Sequence, residues 1–254
     1  MEAEGEQGVG SGPEPRYLLL GSGEYEPWVG DVESRALEHA HGDGTVALLA
    51  TASAPEGETT FARWNQMGLE HYRSLGVPAR ALLVREREDA LRPENVEAVR
   101  RASMVFFSGG NPEYLARHLE GTPLWVALQE ALAGGSIYAG CSAGAMVAGS
   151  TRNPRPGRGR FRFTGGLGLL PTEVFGVHWD SPFMKVLRPR VRAQVPPGCR
   201  LIGIAERTAI LSEGAGWRVS GRGRVEVQLD HLRRSYREGD LIPPHGGLAP
   251  TGPN

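Results

Sequence analysis

The sequence predicts an α/β protein, a doubly wound and mostly parallel sheet followed by extra antiparallel strands. Three observations predict it. Over about the first 150 residues, short apolar runs alternate with amphipathic helical stretches, the pattern of a parallel sheet covered on both faces. Two glycine-rich turns, Gly109-Gly110 and Gly140-Cys-Ser-Ala-Gly144, directly follow two of those runs. In such sheets ligands bind at the carboxyl ends of the strands. Beyond about residue 200 the chain changes to apolar runs punctuated by glycines, as antiparallel strands are.

Taken in order, residues 17–20 form a short apolar strand ending in Gly21-Ser-Gly23, and residues 45–50 a second. Residues 61–75 have helical spacing and stop at Gly76; residues 81–84 are a third strand. Helices over 93–101, 112–119 and 123–132 each open on a proline, which suits a first helical position because its missing N–H has no partner there. Residues 104–107 are a fourth strand and 136–139 a fifth, which runs into a helix starting at Ala143. Residues 202–212 and 217–229 read as the later strands, with Gly214, Gly216, Gly221 and Gly223 as turns. Residues 1–15 are acidic and Gly-rich and read as a disordered tail, and residues 241–254 as a frayed Pro/Gly-rich end. A single domain over 16–240 is expected between them. Residues 151–162 carry five arginines with Pro and Gly, an exposed basic loop able to fold over a nearby site as a lid.

Composition removes several classes. With 254 residues the chain is about the upper size for one compact domain. A formal net charge of -1 gives no global electrostatic basis for binding nucleic acid or an acidic membrane. No apolar run is long enough to span a bilayer, and the N-terminus lacks the basic start and apolar core of a signal peptide. Two cysteines, Cys141 and Cys199, are too few for a disulfide scaffold, so a reduced, cytoplasmic setting is expected. No His/Cys/Asp cluster has zinc spacing, and Gly21-Ser-Gly23 lacks the full dinucleotide fingerprint; neither metal nor organic cofactor is implied.

Gly140-Cys-Ser-Ala-Gly144 fits G-x-S-x-G, the turn that exposes a nucleophilic serine between a strand and a helix. Ser142 is the candidate nucleophile, and the amide of Ala143, at a helix N-terminus, faces any oxyanion formed there. Cys141 falls one position before the centre, so its side chain should point into the sheet. A serine needs a base, and the base needs an orienting group. His39, His41, His71 and His118 lie on expected helices or their ends in polar company and read as surface residues, and His231 and His245 lie near the polar C-terminus. His178 ends the apolar run Val174-Phe-Gly-Val177 beside Trp179, and is the best candidate base. Two carboxylates compete for the third place. Asp180 shares a face with His178 in extended chain, and Glu206 interrupts an apolar strand, where a charge is costly unless paired.

With these residues assembled, the chain resembles the dipeptidase E and cyanophycinase family of serine peptidases, whose flavodoxin-like fold is that of the class I glutamine amidotransferases. Four segments carry the resemblance: Phe106-Phe-Ser-Gly-Gly-Asn-Pro-Glu-Tyr-Leu115, Gly140-Cys-Ser-Ala-Gly-Ala-Met146, Gly165-Gly-Leu-Gly-Leu-Leu170 leading to His178, and Ile202-Gly-Ile-Ala-Glu-Arg-Thr-Ala209. The resemblance implies a Ser142–His178–Glu206 triad, with Asp180 as fallback because amidotransferase relatives place a carboxylate two residues after the histidine. It implies an oxyanion hole from the amides of Gly110 and Ala143. The implied activity is hydrolysis of small peptides or isopeptides through an acyl-enzyme. Cyanophycinase-like action on β-aspartyl-arginine substrates and a non-catalytic binding module are the alternatives. Asn111, Arg188 and Arg190 are candidate substrate contacts, the arginines through bidentate pairing with a carboxylate. The cyanophycinase branch usually reads Gly-Gly-Asp-Gln where this chain has Gly109-Gly-Asn-Pro112. The expected partner is a small peptide, and the resemblance admits a homodimer.

Overall fold

The structure is a computed structural model that describes residues 16–152 and 164–247. The tail expected over 1–15, most of the basic loop and residues 248–254 lie outside the described residues.

Two sheets make the architecture. The first contains β1 (Arg16–Leu20), β2 (Val46–Leu49), β3 (Ala79–Ala81), β4 (Met104–Phe107), β5 (Ile137–Cys141), β10 (Thr208–Glu213), β11 (Gly216–Gly221) and β14 (Leu241–Ile242). Its order is β14-β11-β10-β1-β5-β4-β2-β3. The five strands from the first half pair in parallel, and β10, β11 and β14 add antiparallel ladders beyond β1. The second sheet contains β6 (Gly149–Arg152), β7 (Thr164–Gly165), β8 (Leu170–Gly176), β9 (Arg200–Ile204), β12 (Val225–Leu229) and β13 (Leu232–Tyr236), in the order β13-β12-β9-β8-β6-β7.

Strand side chains alternate between two cores, as a period of two requires. Leu19, Leu49, Val105, Phe107 and Tyr138 face one cluster, shared with α3 (Pro93–Arg101), α4 (Pro112–Leu119), α5 (Pro123–Ala133), α6 (Ala143–Ala148) and the second sheet. Leu18, Leu20, Leu48, Phe106, Ala139 and Cys141 face the other, under α1 (Gly30–Leu37) and α2 (Glu58–Ser74). The proline-opened helices form where expected, and two have a polar cap: Asn111 Oδ1 accepts from Tyr114 N and Thr122 Oγ1 from Trp125 N, each at 3.2 Å.

Several elements depart from what the sequence predicts. Each of the two long late runs is broken: residues 205–207 separate β9 from β10, and residues 222–224 separate β11 from β12. The chain crosses between sheets at both breaks, and the crossings are tied by Ala205 N to Arg224 O (3.1 Å) and Arg222 N to Arg207 O (3.0 Å). The third strand lies earlier than its apolar residues suggested, at Ala79–Ala81. Residues 241–242, read as frayed, form an edge strand on β11, because Trp217 and Arg218 offer it a free ladder edge. His71, read as a surface residue, is buried; its Nε2 lies 2.5 Å from Glu33 Oε2, and Tyr72 donates to the other oxygen at 2.9 Å. Residues 182–192, not anticipated as a helix, form α7 (Pro182–Arg192), capped by Ser181.

One buried ion pair fixes β8 against β9. Arg200 is 1% exposed; its Nε donates to both oxygens of Glu173 at 3.0 and 3.1 Å, and its Nη1 to Pro243 O at 2.6 Å. Burial pushes the Glu173 carboxyl up, and the guanidinium opposes that shift. Removing one partner leaves a buried unpaired charge. Arg200→Met is therefore expected to lower the free energy of unfolding by about 3–5 kcal/mol, measured by urea denaturation, with partial recovery in the Arg200→Met/Glu173→Leu double variant.

Candidate active site

Strand β5 meets α6 at Ser142 with no room for side chains at its flanks. A Cβ on Gly140 would lie 2.6 Å from the Gly144 carbonyl carbon, and one on Gly144 would lie 2.3 Å from Phe107 O. That close approach forces the serine into φ 49°, ψ -105°, a conformation that non-glycine residues avoid. Ser142 N is held by Leu20 O at 3.0 Å, so the strain is locked by the neighbouring strand.

The second sheet supplies the partners. β8 and β9 are parallel, with Gly176 opposite Gly203, so residues just past both strands emerge together. His178 follows β8 and Glu206 follows β9. Both glycines are needed because the Trp179 ring lies on them: added Cβ atoms would approach it to 2.5 and 2.4 Å. His178 has φ 50° and Arg207 φ 50°. The His178 amide donates to Gly21 O at 3.3 Å, across the sheet boundary, and Trp179 N donates to Ile204 O at 3.0 Å, at the end of β9 in the same sheet.

The three side chains form one chain of contacts. Ser142 Oγ lies 3.0 Å from His178 Nε2, and His178 Nδ1 lies 3.1 Å from Glu206 Oε1. The tautomer that satisfies both contacts carries its proton on Nδ1, which donates to the carboxylate and leaves Nε2 to accept from the serine. Asp180 is not the imidazole's neighbour; its Oδ1 accepts the backbone N–H of Glu206 at 2.8 Å. The two competing carboxylates thus act in series, one on the ring and one on the backbone of the other.

Beside the serine, the turn after β4 is held at every amide but one. Ser108 N donates to Leu49 O (3.1 Å), Gly109 N to Glu24 Oε1 (2.9 Å) and Asn111 N to Ala52 O (2.7 Å). Among the described residues the Gly110 amide has no such acceptor, and Gly110 is exposed with φ 135°. A Cβ there would lie 2.4 Å from Ala52 O. The Ala143 amide is the first of α6 and has no acceptor within its own helix.

Two candidate substrate contacts have other partners. Arg188 Nε donates to Trp179 O at 2.9 Å, its Nη1 lies 3.7 Å from Glu226, and its guanidinium covers the Trp179 ring at 5.1 Å. Those donors hold the histidine turn onto α7. Asn111 Oδ1 caps α4, whereas Arg190 is exposed. Reading the sequence missed Glu24, a buried carboxylate in the loop after β1; its only signal was a charge directly following Gly21-Ser-Gly23. Among the described residues no group of three or more His, Cys, Asp or Glu side chains is placed to hold a metal ion, and no helix is long and apolar enough to cross a membrane.

A profile of peptidase family S51 matches residues 17–220. The chain belongs to peptidase family S51. It is 33% identical over 165 residues to the cyanophycinase of Synechococcus elongatus, covering 61% of this chain and 51% of that one. It thus spans about half the length of that relative. The cyanophycinase of Geminocystis herdmanii is 25% identical over 248 residues, covering 93% of this chain and 86% of that one. Among solved structures, a peptidase from an acI-B1 Actinobacterium superposes with a TM-score of 0.84 at 32% identity, covering 91% of this chain and 98% of the other. A candidate peptidase E protein from Listeria monocytogenes EGD-e shares the fold, with a TM-score of 0.59 at 21% identity over 82% of this chain and 99% of the other.

Cys141 sits next to Ser142 yet is fully buried, and its Sγ donates to Glu24 Oε2 at 2.8 Å. Burial, reinforced by the Glu24 charge, pushes its thiol well above the usual range, and the thiolate is the reactive form. In the folded protein at pH 8, Cys141 is expected to resist iodoacetamide and to react only after denaturation, as read by peptide mass mapping.

Proposed function

We propose that the chain is a serine hydrolase of small peptides or isopeptides, working through an acyl-enzyme on Ser142. The observation that carries this reading is the continuous contact Ser142 Oγ–His178 Nε2–Glu206 Oε1 at 3.0 and 3.1 Å. Ser142 Oγ attacks the scissile carbonyl carbon while its proton passes to His178 Nε2. Glu206 keeps the ring's other proton on Nδ1 and stabilises the imidazolium. The carbonyl oxygen becomes an oxyanion, held by the N–H groups of Gly110 and Ala143, which need no reorganisation to receive it. His178 then gives its proton to the leaving amine, the C–N bond breaks, and an ester to Ser142 remains. Water enters, loses a proton to Nε2, and releases the acid and the free serine.

Asp180 in this reading positions Glu206 through its amide and does not touch the ring. The carboxylate and imidazole are each partly exposed, so their mutual attraction is screened, and their value lies in orientation. A second reading, hydrolysis of β-aspartyl-arginine linkages in cyanophycin, is favoured by the likeness to cyanophycinases, whereas Gly109-Gly-Asn-Pro112, in place of the Gly-Gly-Asp-Gln usual in that branch, counts against it.

Ser142→Ala is expected to reduce kcat by about 10⁴-fold or more with the fold unchanged; unchanged turnover of the best substrate in a dipeptide panel would refute the reading. Glu206→Gln is expected to cost about 100-fold or more, and Asp180→Asn less than about 10-fold. If Asp180→Asn proved the more damaging, the carboxylate assignment would be reversed. Release of arginine-containing dipeptide from cyanophycin at a rate exceeding that of the panel would select the second reading.

A further inference from the structure

We infer that Glu24 is a positioning residue for the oxyanion hole, a buried carboxylate that ties the Gly109-Gly110 turn to the back of the nucleophile strand. The inference rests on the serine-hydrolase reading above and adds to it a residue outside the relay.

Glu24 is 7% exposed and lies in the loop between β1 and the following 3-10 turn at Pro27–Val29. Its two oxygens have separate partners. Oε1 accepts Gly109 N–H at 2.9 Å, on the β4 turn, and Oε2 accepts Cys141 S–H at 2.8 Å, at the end of β5. One carboxylate therefore joins three adjacent strand ends: β1, β4 and β5. The raised pKa of Cys141 keeps a proton on sulfur for that bond. A buried carboxylate is costly to hold unless it is hydrogen-bonded, and here each oxygen has a donor.

The consequence falls on the neighbouring peptide. Gly109 and Asn111 are anchored, by Glu24 and by Ala52 O, and the Gly110 N–H between them is left for an oxyanion. Gly109 also packs against the nucleophile: a Cβ added there would lie 3.3 Å from Ser142 Cβ and 3.0 Å from Glu24 Oε1. The distance from the Gly110 amide to the serine is thus set from beneath, by Glu24. Without the carboxylate the Gly109 amide loses its acceptor, the Ser108–Gly109 peptide is no longer fixed, and the adjoining Gly109–Gly110 peptide, which carries the Gly110 N–H, keeps only its anchor at Asn111. Losing one oxyanion donor slows acyl transfer by about 10²–10³-fold, and partial misplacement costs part of that.

The test uses the full chain and a fluorophosphonate probe, whose phosphonyl oxygen occupies the oxyanion hole as Ser142 displaces fluoride. The rate constant for labelling Ser142 and the end-point fraction labelled are measured separately, from pH 5.5 to 8.5. Glu24→Ala and the size-retaining Glu24→Met are expected to label completely, about 10-fold or more slowly, at every pH and with an unshifted pH midpoint, because His178 is untouched. Glu24→Gln keeps an oxygen for Gly109 N–H and is expected to stay within about threefold of the parent. A purely structural role would lower the labelled fraction and leave the rate of the folded fraction unchanged, and that result overturns the inference. So does a Glu24→Gln variant as slow as Glu24→Met, which would make charge, rather than the held amide, the relevant property. If the two apolar variants do not fold, Glu24→Asp, whose carboxylate is one methylene short of Gly109 N–H, replaces them: complete but slower labelling supports the inference, and labelling at the parent's rate overturns it. An unlabelled parent protein would instead sink the hydrolase reading itself.

Discussion

Ser142 stands on one sheet, and His178 and Glu206 stand at strand ends of the other, so the relay depends on the seam where the sheets meet. That seam is backbone-built. The His178 amide reaches Gly21 O just past β1, and the crossing at residues 205–207 carries the chain from the second sheet into the first. A Cβ on Gly21 would lie 2.1 Å from Ala205 O, which shows how closely the β1 end and the crossing approach. Side chains at this seam act mainly as wedges and clamps. Trp179 fills the space above Gly176 and Gly203, and Arg188 holds the Trp179 carbonyl.

Strain concentrates at the same place. Ser142, His178 and Arg207 all have positive φ, as does Tyr25 in the loop beside Glu24. Each such residue costs about 1–3 kcal/mol and persists only where its surroundings over-determine it. Here the over-determination is visible. The Ser142 amide is held by Leu20, the His178 amide by Gly21, and Arg222 N donates to Arg207 O. The energy stored in these turns aims one hydroxyl and one imidazole at each other, and the packing of both sheets holds it there.

Much of this was legible in the sequence because it is local. G-x-S-x-G encodes a turn in which Gly140 is required by Gly144, four residues on, although Gly144 is itself required by Phe107 on the neighbouring strand; the proline-opened helices with their caps are local too. His178 was legible as a polar group ending an apolar strand. The choice between Asp180 and Glu206 was not, because it depends on which strand ends the second sheet sets side by side. Nor was the burial of His71, which follows from Glu33 on α1 facing it from 38 residues away. The partners of Arg188 were not legible either, because nothing in its neighbourhood announces Trp179 O or Glu226. Glu24 escaped notice for the same reason: its partners, Gly109 and Cys141, are 85 and 117 residues away.

In the proposed mechanism the two sheets deliver one hydroxyl, one base and two backbone amides to a single carbonyl. The most direct measurement is a crystal structure of the chain after reaction with a peptidyl phosphonate. The account predicts a covalent bond from phosphorus to Ser142 Oγ, with the phosphonyl oxygen within about 3 Å of both the Gly110 and Ala143 nitrogens and the imidazole still in contact with Glu206. An adduct on another residue, or a phosphonyl oxygen turned away from both amides, would contradict it.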